Sequence, residues 1–135
     1  MKQYATDMRT ALADTLIELE GTNDRILWLD ADLMASSGMN RFKAAYPDKV
    51  INCGIQEANM FGVAAGLSEE GFIPFVHSFG AFASRRIADQ IFMSGVYARQ
   101  DVRIVGSDPG ISAGPNGGTH ISLEDIGILR SLPGT

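Results

Sequence analysis

Residues 50–79, VINCGIQEANMFGVAAGLSEEGFIPFVHSF, run from a short apolar stretch through an alanine- and glycine-rich segment of helical pattern into a second apolar stretch. The spacing predicts a strand at Val50 to Asn52, a turn at Gly54, a helix over 54–67 and a strand from Phe72 to Val76. The same alternation extends in both directions. Upstream, Met8, Leu12, Leu16 and Leu19 recur at helical spacing before Gly21 and Asn23, so a helix is expected over 6–20. Ile26 to Leu29 then reads as a buried strand ending at Asp30, and residues 38–46 as a short helix stopped by Pro47. Downstream, a long helix is expected over 79–98, a strand from Val102 to Val105, a glycine-rich loop, and a last helix from about Ser122 to Leu129. Short apolar strands alternating with helices argue for an α/β fold, a parallel sheet with helices on both faces. In such sheets ligands bind outside the carboxyl ends of the strands.

Composition is consistent with this. The 135 residues are 45% hydrophobic and 20% charged, an ordinary globular balance with enough apolar side chains for a core. No linker, repeat or low-complexity segment divides them, so residues 1–135 are expected to form one domain. A net charge of -5, with Arg85 and Arg86 the only adjacent basic pair, gives no footprint for nucleic acid or an anionic membrane. Cys53 is alone, which excludes an intrachain disulfide and a cysteine-based metal site and suits a reducing compartment. The first residues carry acids and no uninterrupted apolar run, so neither a signal peptide nor a membrane span is expected, and cytoplasm is the default location. The sequence stops at RSLPGT, where a doubly wound sheet would add strands, and a fragment is therefore expected.

The chemistry-bearing residues gather at the predicted strand ends. Glu57 is a carboxylate set among Ile55, Met60, Val63 and Leu67, which look ready to be buried. A buried carboxylate must find a partner or give up its charge. Its position admits two readings: an ordinary helix-start acid favoured by the helix dipole, or a group that hydrogen-bonds a basic ring nitrogen of a ligand. Phe79 and Phe82, three apart, either pack in the core or present ring faces to a flat heteroaromatic ligand. Arg85 and Arg86 are most simply solvated or paired with acids such as Asp89. The loop GSDPGISAGPNGGTH, residues 106–120, holds five glycines and two prolines in fifteen residues, which allows close backbone approach to a ligand. It lacks the GK[ST] ending of a phosphate-binding loop, and no strand-GxGxxG-helix unit occurs. His120 at its end is equally a proton donor or acceptor and a loop anchor. His77, at a strand end, leans towards a structural role, and no metal-ligand spacing is present.

Together these segments resemble the pyrimidine-binding domain of the transketolase family of thiamine diphosphate enzymes, in particular the C-terminal subunit of split transketolases. The resemblance runs from about Arg9 to Pro133 and rests on GIQE, the FxxF pair, DQI and GTHISLEDI in this order and spacing. It implies that Glu57 matches the catalytic glutamate that hydrogen-bonds N1' of the cofactor's aminopyrimidine and so promotes loss of the thiazolium C2 proton. Phe79 and Phe82 match aromatic residues packed around the pyrimidine, and Asp32 an aspartate near the thiazolium. Arg9 and Ser36 or Ser37 match positions that contact a sugar phosphate, and His120 a histidine that positions donor and acceptor. The resemblance further implies that the diphosphate and its Mg2+ are held by an N-terminal partner subunit, that the site lies between chains, and that the assembly is a homodimer or heterotetramer.

Two positions depart from the family pattern and bear on the substrate. Asp108 stands where a histidine is common ahead of the glycine loop, and Asn116 where an aspartate precedes GxTH. The first replaces a potential cation with an anion, which disfavours a nearby phosphate. The reaction expected is transfer of a ketol unit between sugar phosphates. Deoxyxylulose-phosphate synthase or the beta subunit of a 2-oxoacid dehydrogenase would keep the fold and cofactor while changing the chemistry. An inactive fragment that only binds a partner is the non-enzymatic alternative.

Overall fold

The computed structural model describes residues 7–135. Four parallel strands, β1 (Ile26–Asp30), β2 (Val50–Asn52), β3 (Ile73–Phe79) and β4 (Arg103–Ser107), lie in the order β2-β1-β3-β4. The expected α/β architecture is therefore present. Strand β1 is central, and all five of its residues are buried. Its side chains alternate between faces, as the pleat requires. Ile26 and Trp28 pack with Ala13, Leu16, Met39 and Phe42 from α1 (Met8–Glu20) and the segment around α3 (Asn40–Ala45). Leu27 and Leu29 pack on the opposite face with Met60, Phe61 and Ala64 of α4 (Glu57–Glu69), and with Ile87 and Ile91. Because the chain steps from β1 outward to β2 and then back across to β3, the carboxyl ends of β1 and β3 adjoin at the switch point of the sheet. Asp30 and His77 are register partners there.

Four expectations about helices need correction. Residue 6 lies outside the described residues; α1 begins at Met8, with Asp7 accepting from the amides of Arg9 and Thr10 at 3.0 and 3.1 Å. Its inward stripe is Ala13, Leu16 and Glu20, whereas Met8 is 89% exposed. The stripe turns because Glu20 reaches inward, accepting from the Ile26 amide at 3.1 Å and pairing with Lys49 at 3.0 Å. The helix expected over 79–98 is broken. It comprises α5 (Gly80–Ala83), a 3-10 turn (Arg85–Ile87), α6 (Ala88–Gln90) and a π-helical stretch (Ile91–Tyr97). Its first break follows from Ser84, whose hydroxyl donates back to the Gly80 carbonyl at 2.6 Å while its backbone leaves helical geometry. Around Glu57, Met60 is buried, but Ile55 and Val63 are exposed because they lie on the outer side of the turn and of α4.

Short connections pull the rim tight. A methyl added at Gly106, in β4, would lie 3.1 Å from the Cα of Gly80, so β4 and the start of α5 meet backbone to backbone. The last helix, α7, spans Asp125–Ser131 and starts later than expected. Among the described residues no helix is long and apolar enough to cross a membrane.

Candidate active site

Glu57 is the first residue of α4, placed there by the turn at Gly54, which adopts φ +71. Only 3% of it is exposed. Both carboxylate oxygens are occupied by this chain's own donors. The Ser78 hydroxyl donates to Oε1 at 2.8 Å, and the Arg86 guanidinium donates to Oε2 at 2.7 Å. Burial pushes the carboxyl pKa up, but the hydrogen bonds from Arg86, its own backbone amide and Ser78, with the charge of Arg86, outweigh that and hold it below its ordinary 4.5. Glu57 is thus a buried, ionised, fully partnered carboxylate. Arg86 pairs with Glu57 and Arg85 with Glu124, so both arginines are paired with acids, as one of the two sequence readings has it, though in neither case is that acid Asp89. No local spacing announces the Arg86 contact, since 29 residues separate it from Glu57.

Next to this ion pair stands an aromatic group. Phe79 ends β3 and Phe82 lies in α5, so the strand-to-helix junction brings them together, with centroids 6.1 Å apart and planes near perpendicular. The His120 ring joins them, 5.2 Å from Phe79 and 4.9 Å from Phe82, both edge to face. The guanidinium carbon of Arg86 sits 3.8 Å from the centroid of Phe82. Thr119 contacts Nδ1 of His120 at 3.0 Å, and its carbonyl accepts from Arg85, which anchors the end of the glycine loop. Glu57, the Phe79–Phe82 pair and His120, from three separate segments of the sequence, thus form one cluster at the carboxyl edge of the sheet.

The other candidate residues lie around it. Asp32 adopts φ 64 after β1, and its carboxylate accepts from the Asn52 amide at 2.9 Å. Arg9 pairs with Asp108 at 2.9 Å and packs against Gly38, next to Ser36 and Ser37. Ser37 is buried with its hydroxyl donating to the Met34 carbonyl, Ser36 is half-buried, and Asn116 is exposed in the glycine loop. Beneath the rim, buried Asp30 accepts from Trp28 Nε1, from His77 Nδ1 and from the Leu33 amide, the first two at 3.1 Å. Trp28 and His77 also stack, with centroids 5.5 Å apart. His77 therefore lies in the support of the rim, as its strand-end position suggests. No group of three His, Cys, Asp or Glu side chains among the described residues has metal-binding geometry. A cleft of about 620 Å³ between Phe61, Ile91, Leu129 and residues 133–135 lies elsewhere and is lined by none of the candidate residues.

The molecule is an α/β domain with a buried carboxylate and a cluster of aromatic rings at the carboxyl edge of its parallel sheet, the edge at which such domains bind ligands. Residues 5–135 match the family described as transketolase, pyrimidine binding domain, and the chain belongs to that family. It is 54% identical over 127 residues to the 6-deoxy-6-sulfo-D-fructose transketolase subunit SqwH of Clostridium sp. (strain MSTE9), covering 94% of this chain and 39% of that protein. It is 36% identical over 126 residues to the transketolase of Homo sapiens, covering 93% and 20%. A split gene transketolase solved as an inactive beta4 tetramer superimposes with TM-score 0.78 at 38% identity, over 93% of this chain and 40% of that one. The chain thus spans between a fifth and two fifths of the length of these relatives, from 20% for the human transketolase to 40% for the split gene transketolase.

Proposed function

We propose that residues 1–135 form a single pyrimidine-binding domain that supplies one half of a thiamine diphosphate site for ketol transfer, with an N-terminal subunit supplying the diphosphate and Mg2+ half. The observation that carries this reading is Glu57, buried at the sheet edge beside Phe79, Phe82 and His120. The residues present fit an aminopyrimidine: a carboxylate for the ring nitrogen and aromatic faces to exclude water. When bound, the cofactor supplies the carbanion chemistry. This chain's part is to hold and position it. Glu57 would hold the pyrimidine ring nitrogen, Ser78 would fix the direction of the carboxylate, Phe79 and Phe82 would pack around the ring, and His120 with Asp32 would face the substrates. A partner is consistent with the rim: Ile55, Ile111 and Leu123, in the turn after β2 and the segment after β4, are 73%, 74% and 74% exposed. The partner-built assembly, a homodimer or heterotetramer, belongs to this proposal, as does a cytoplasmic location.

The substrate position is set by Arg9, Ser36 and Ser37, Asp108 and Asn116. Arg9 already shares its charge with Asp108. A sulfonate carries one negative charge where a phosphate ester carries about 1.5 to 2, so this tempered cation suits a sulfonated ketose donor better than a ketose phosphate. The 54% identical subunit, named for 6-deoxy-6-sulfo-D-fructose, points the same way. Reconstituted with its N-terminal subunit, thiamine diphosphate and Mg2+, the protein is expected to turn over 6-deoxy-6-sulfo-D-fructose with a higher kcat/KM than fructose 6-phosphate, an aldose phosphate acting as acceptor. The reverse order would return the donor to the phosphates, and no turnover of either would refute ketol transfer.

The aromatic assignment has its own check. Phe79→Ala with Phe82→Ala in that complex removes ring contact and burial worth about 1.5–3 kcal/mol, and calorimetry is expected to read a loss of roughly ten- to hundredfold in thiamine diphosphate affinity. An unchanged affinity would assign both rings to packing alone.

A further inference from the structure

Arg86 is unusual among the residues at the rim because it touches both of the surfaces that the cofactor reading assigns to a ligand. Its guanidinium donates to Glu57 Oε2 at 2.7 Å and lies 3.8 Å above the centre of the Phe82 ring. The other oxygen of Glu57 is taken by Ser78, at 2.8 Å. A flat ring that hydrogen-bonds Glu57 Oε2 and lies on the Arg86 side of Phe82 claims the positions that the guanidinium fills. The two groups are alike in the features that matter here: each is planar, can hold a proton in a hydrogen bond with a carboxylate and stacks on an aromatic face.

The remainder of the side chain allows it to leave. The Arg86 side chain is 44% exposed, against 3% for that of Glu57, so its charged end can swing to water with little loss of solvation. It projects from the 3-10 turn Arg85–Ile87, set between two breaks in what the sequence predicts as one helix. Arg85 beside it is tied to Glu124 and to the Thr119 carbonyl, which holds the turn while Arg86 moves.

We propose that Arg86 is an internal stand-in for the aminopyrimidine: it caps Glu57 and covers Phe82 before the cofactor arrives, and is displaced when the ring binds. This rests on the thiamine diphosphate reading above. While seated, Arg86 keeps a buried carboxylate paired and charged, a state that would be costly unpaired. Once it leaves, burial acts on Glu57 without that offset, and the carboxyl becomes better able to share a proton with a ring nitrogen. Arg86 is a positioning residue in this scheme, acting through Glu57 and Phe82.

A stand-in lowers apparent affinity, because only the fraction of molecules with Arg86 displaced accepts the ring. If that fraction is about one in ten, removing the competitor tightens binding about tenfold. The test is calorimetric titration of the complete two-subunit complex with thiamine diphosphate and Mg2+, comparing wild type, Arg86→Gln and Arg86→Lys. Arg86→Gln is expected to bind about tenfold tighter. Arg86→Lys, which keeps the charge but lacks the planar fork, is expected to fall between. A purely structural role for Arg86 would weaken binding, since its loss would loosen Glu57. Equal or weaker affinity in Arg86→Gln therefore overturns the proposal. Should that variant fail to fold, Arg86→Lys decides: tighter than wild type supports displacement, equal or weaker refutes it. Wild type that binds no thiamine diphosphate would instead remove the cofactor reading and this inference with it.

Discussion

Glu57→Gln is expected to slow exchange of the C2 proton of thiamine diphosphate in the two-subunit complex by about 10²–10⁴-fold, the usual worth of a positioned acid-base group. Glutamine preserves the volume of the side chain, and its carbonyl oxygen can still accept from one of the two donors, Ser78 and Arg86, that hold the oxygens of Glu57 at 2.8 and 2.7 Å. It cannot gain or release a proton. The comparison therefore isolates proton sharing from packing, which an alanine variant would not. Burial makes the effect large, because with 3% exposure water does not reach the carboxylate to take over its role. Proton exchange followed by NMR under deuterium, with the same bound cofactor in both proteins, reads this directly. A difference of less than about threefold, far below the 10²-fold floor for such groups, would make Glu57 a structural helix-start acid.

The largest effect on stability is expected at Asp30. Asp30→Ala leaves three donors without an acceptor: Trp28 Nε1, His77 Nδ1 and the Leu33 amide. Trp28, His77 and the Asp30 side chain itself are all buried, so water does not substitute freely. Each orphaned donor costs about 1–3 kcal/mol, and removing one member of a buried polar set costs about 3–5 kcal/mol in total. Equilibrium urea unfolding should show a midpoint shift of that size with an unchanged slope. A loss below about 1 kcal/mol, the worth of one ordinary hydrogen bond, would mean that the network re-forms around water. The consequence reaches the rim, because the Leu33 amide that Asp30 holds follows directly on Asp32, and His77 precedes Ser78, the hydroxyl that directs Glu57.

The fold was legible because its signals are local. An apolar run of strand length followed by a helical period depends on side chains within a few residues, so Ile26 to Leu29, Val50 to Asn52 and the helix after Gly54 could be read in order. The long helix over 79–98 misled for a physical reason: its apolar period continues through the breaks. The first of those breaks comes from Ser84 bonding back to Gly80, which itself lies against Gly106, a residue of another strand. The exposure of Ile55 and Val63 has a similar origin, since hydrophobic character says which residues suit burial, not which way a turn faces.

Sequence alone determined the strand-helix alternation, the parallel sheet that follows from it, and the four strand ends at which Asp32, Glu57, Phe79, Phe82 and His120 fall; these depend on periodicity and on residue order. Tertiary structure decided what those residues touch. That Arg86 reaches Glu57, that Asp30 meets His77, and that Arg9 is matched by Asp108 are contacts between segments 29, 47 and 99 residues apart. Such contacts are fixed by how the strands cross and stack, and a charged side chain's partner is chosen by that geometry, not by its neighbours in the chain.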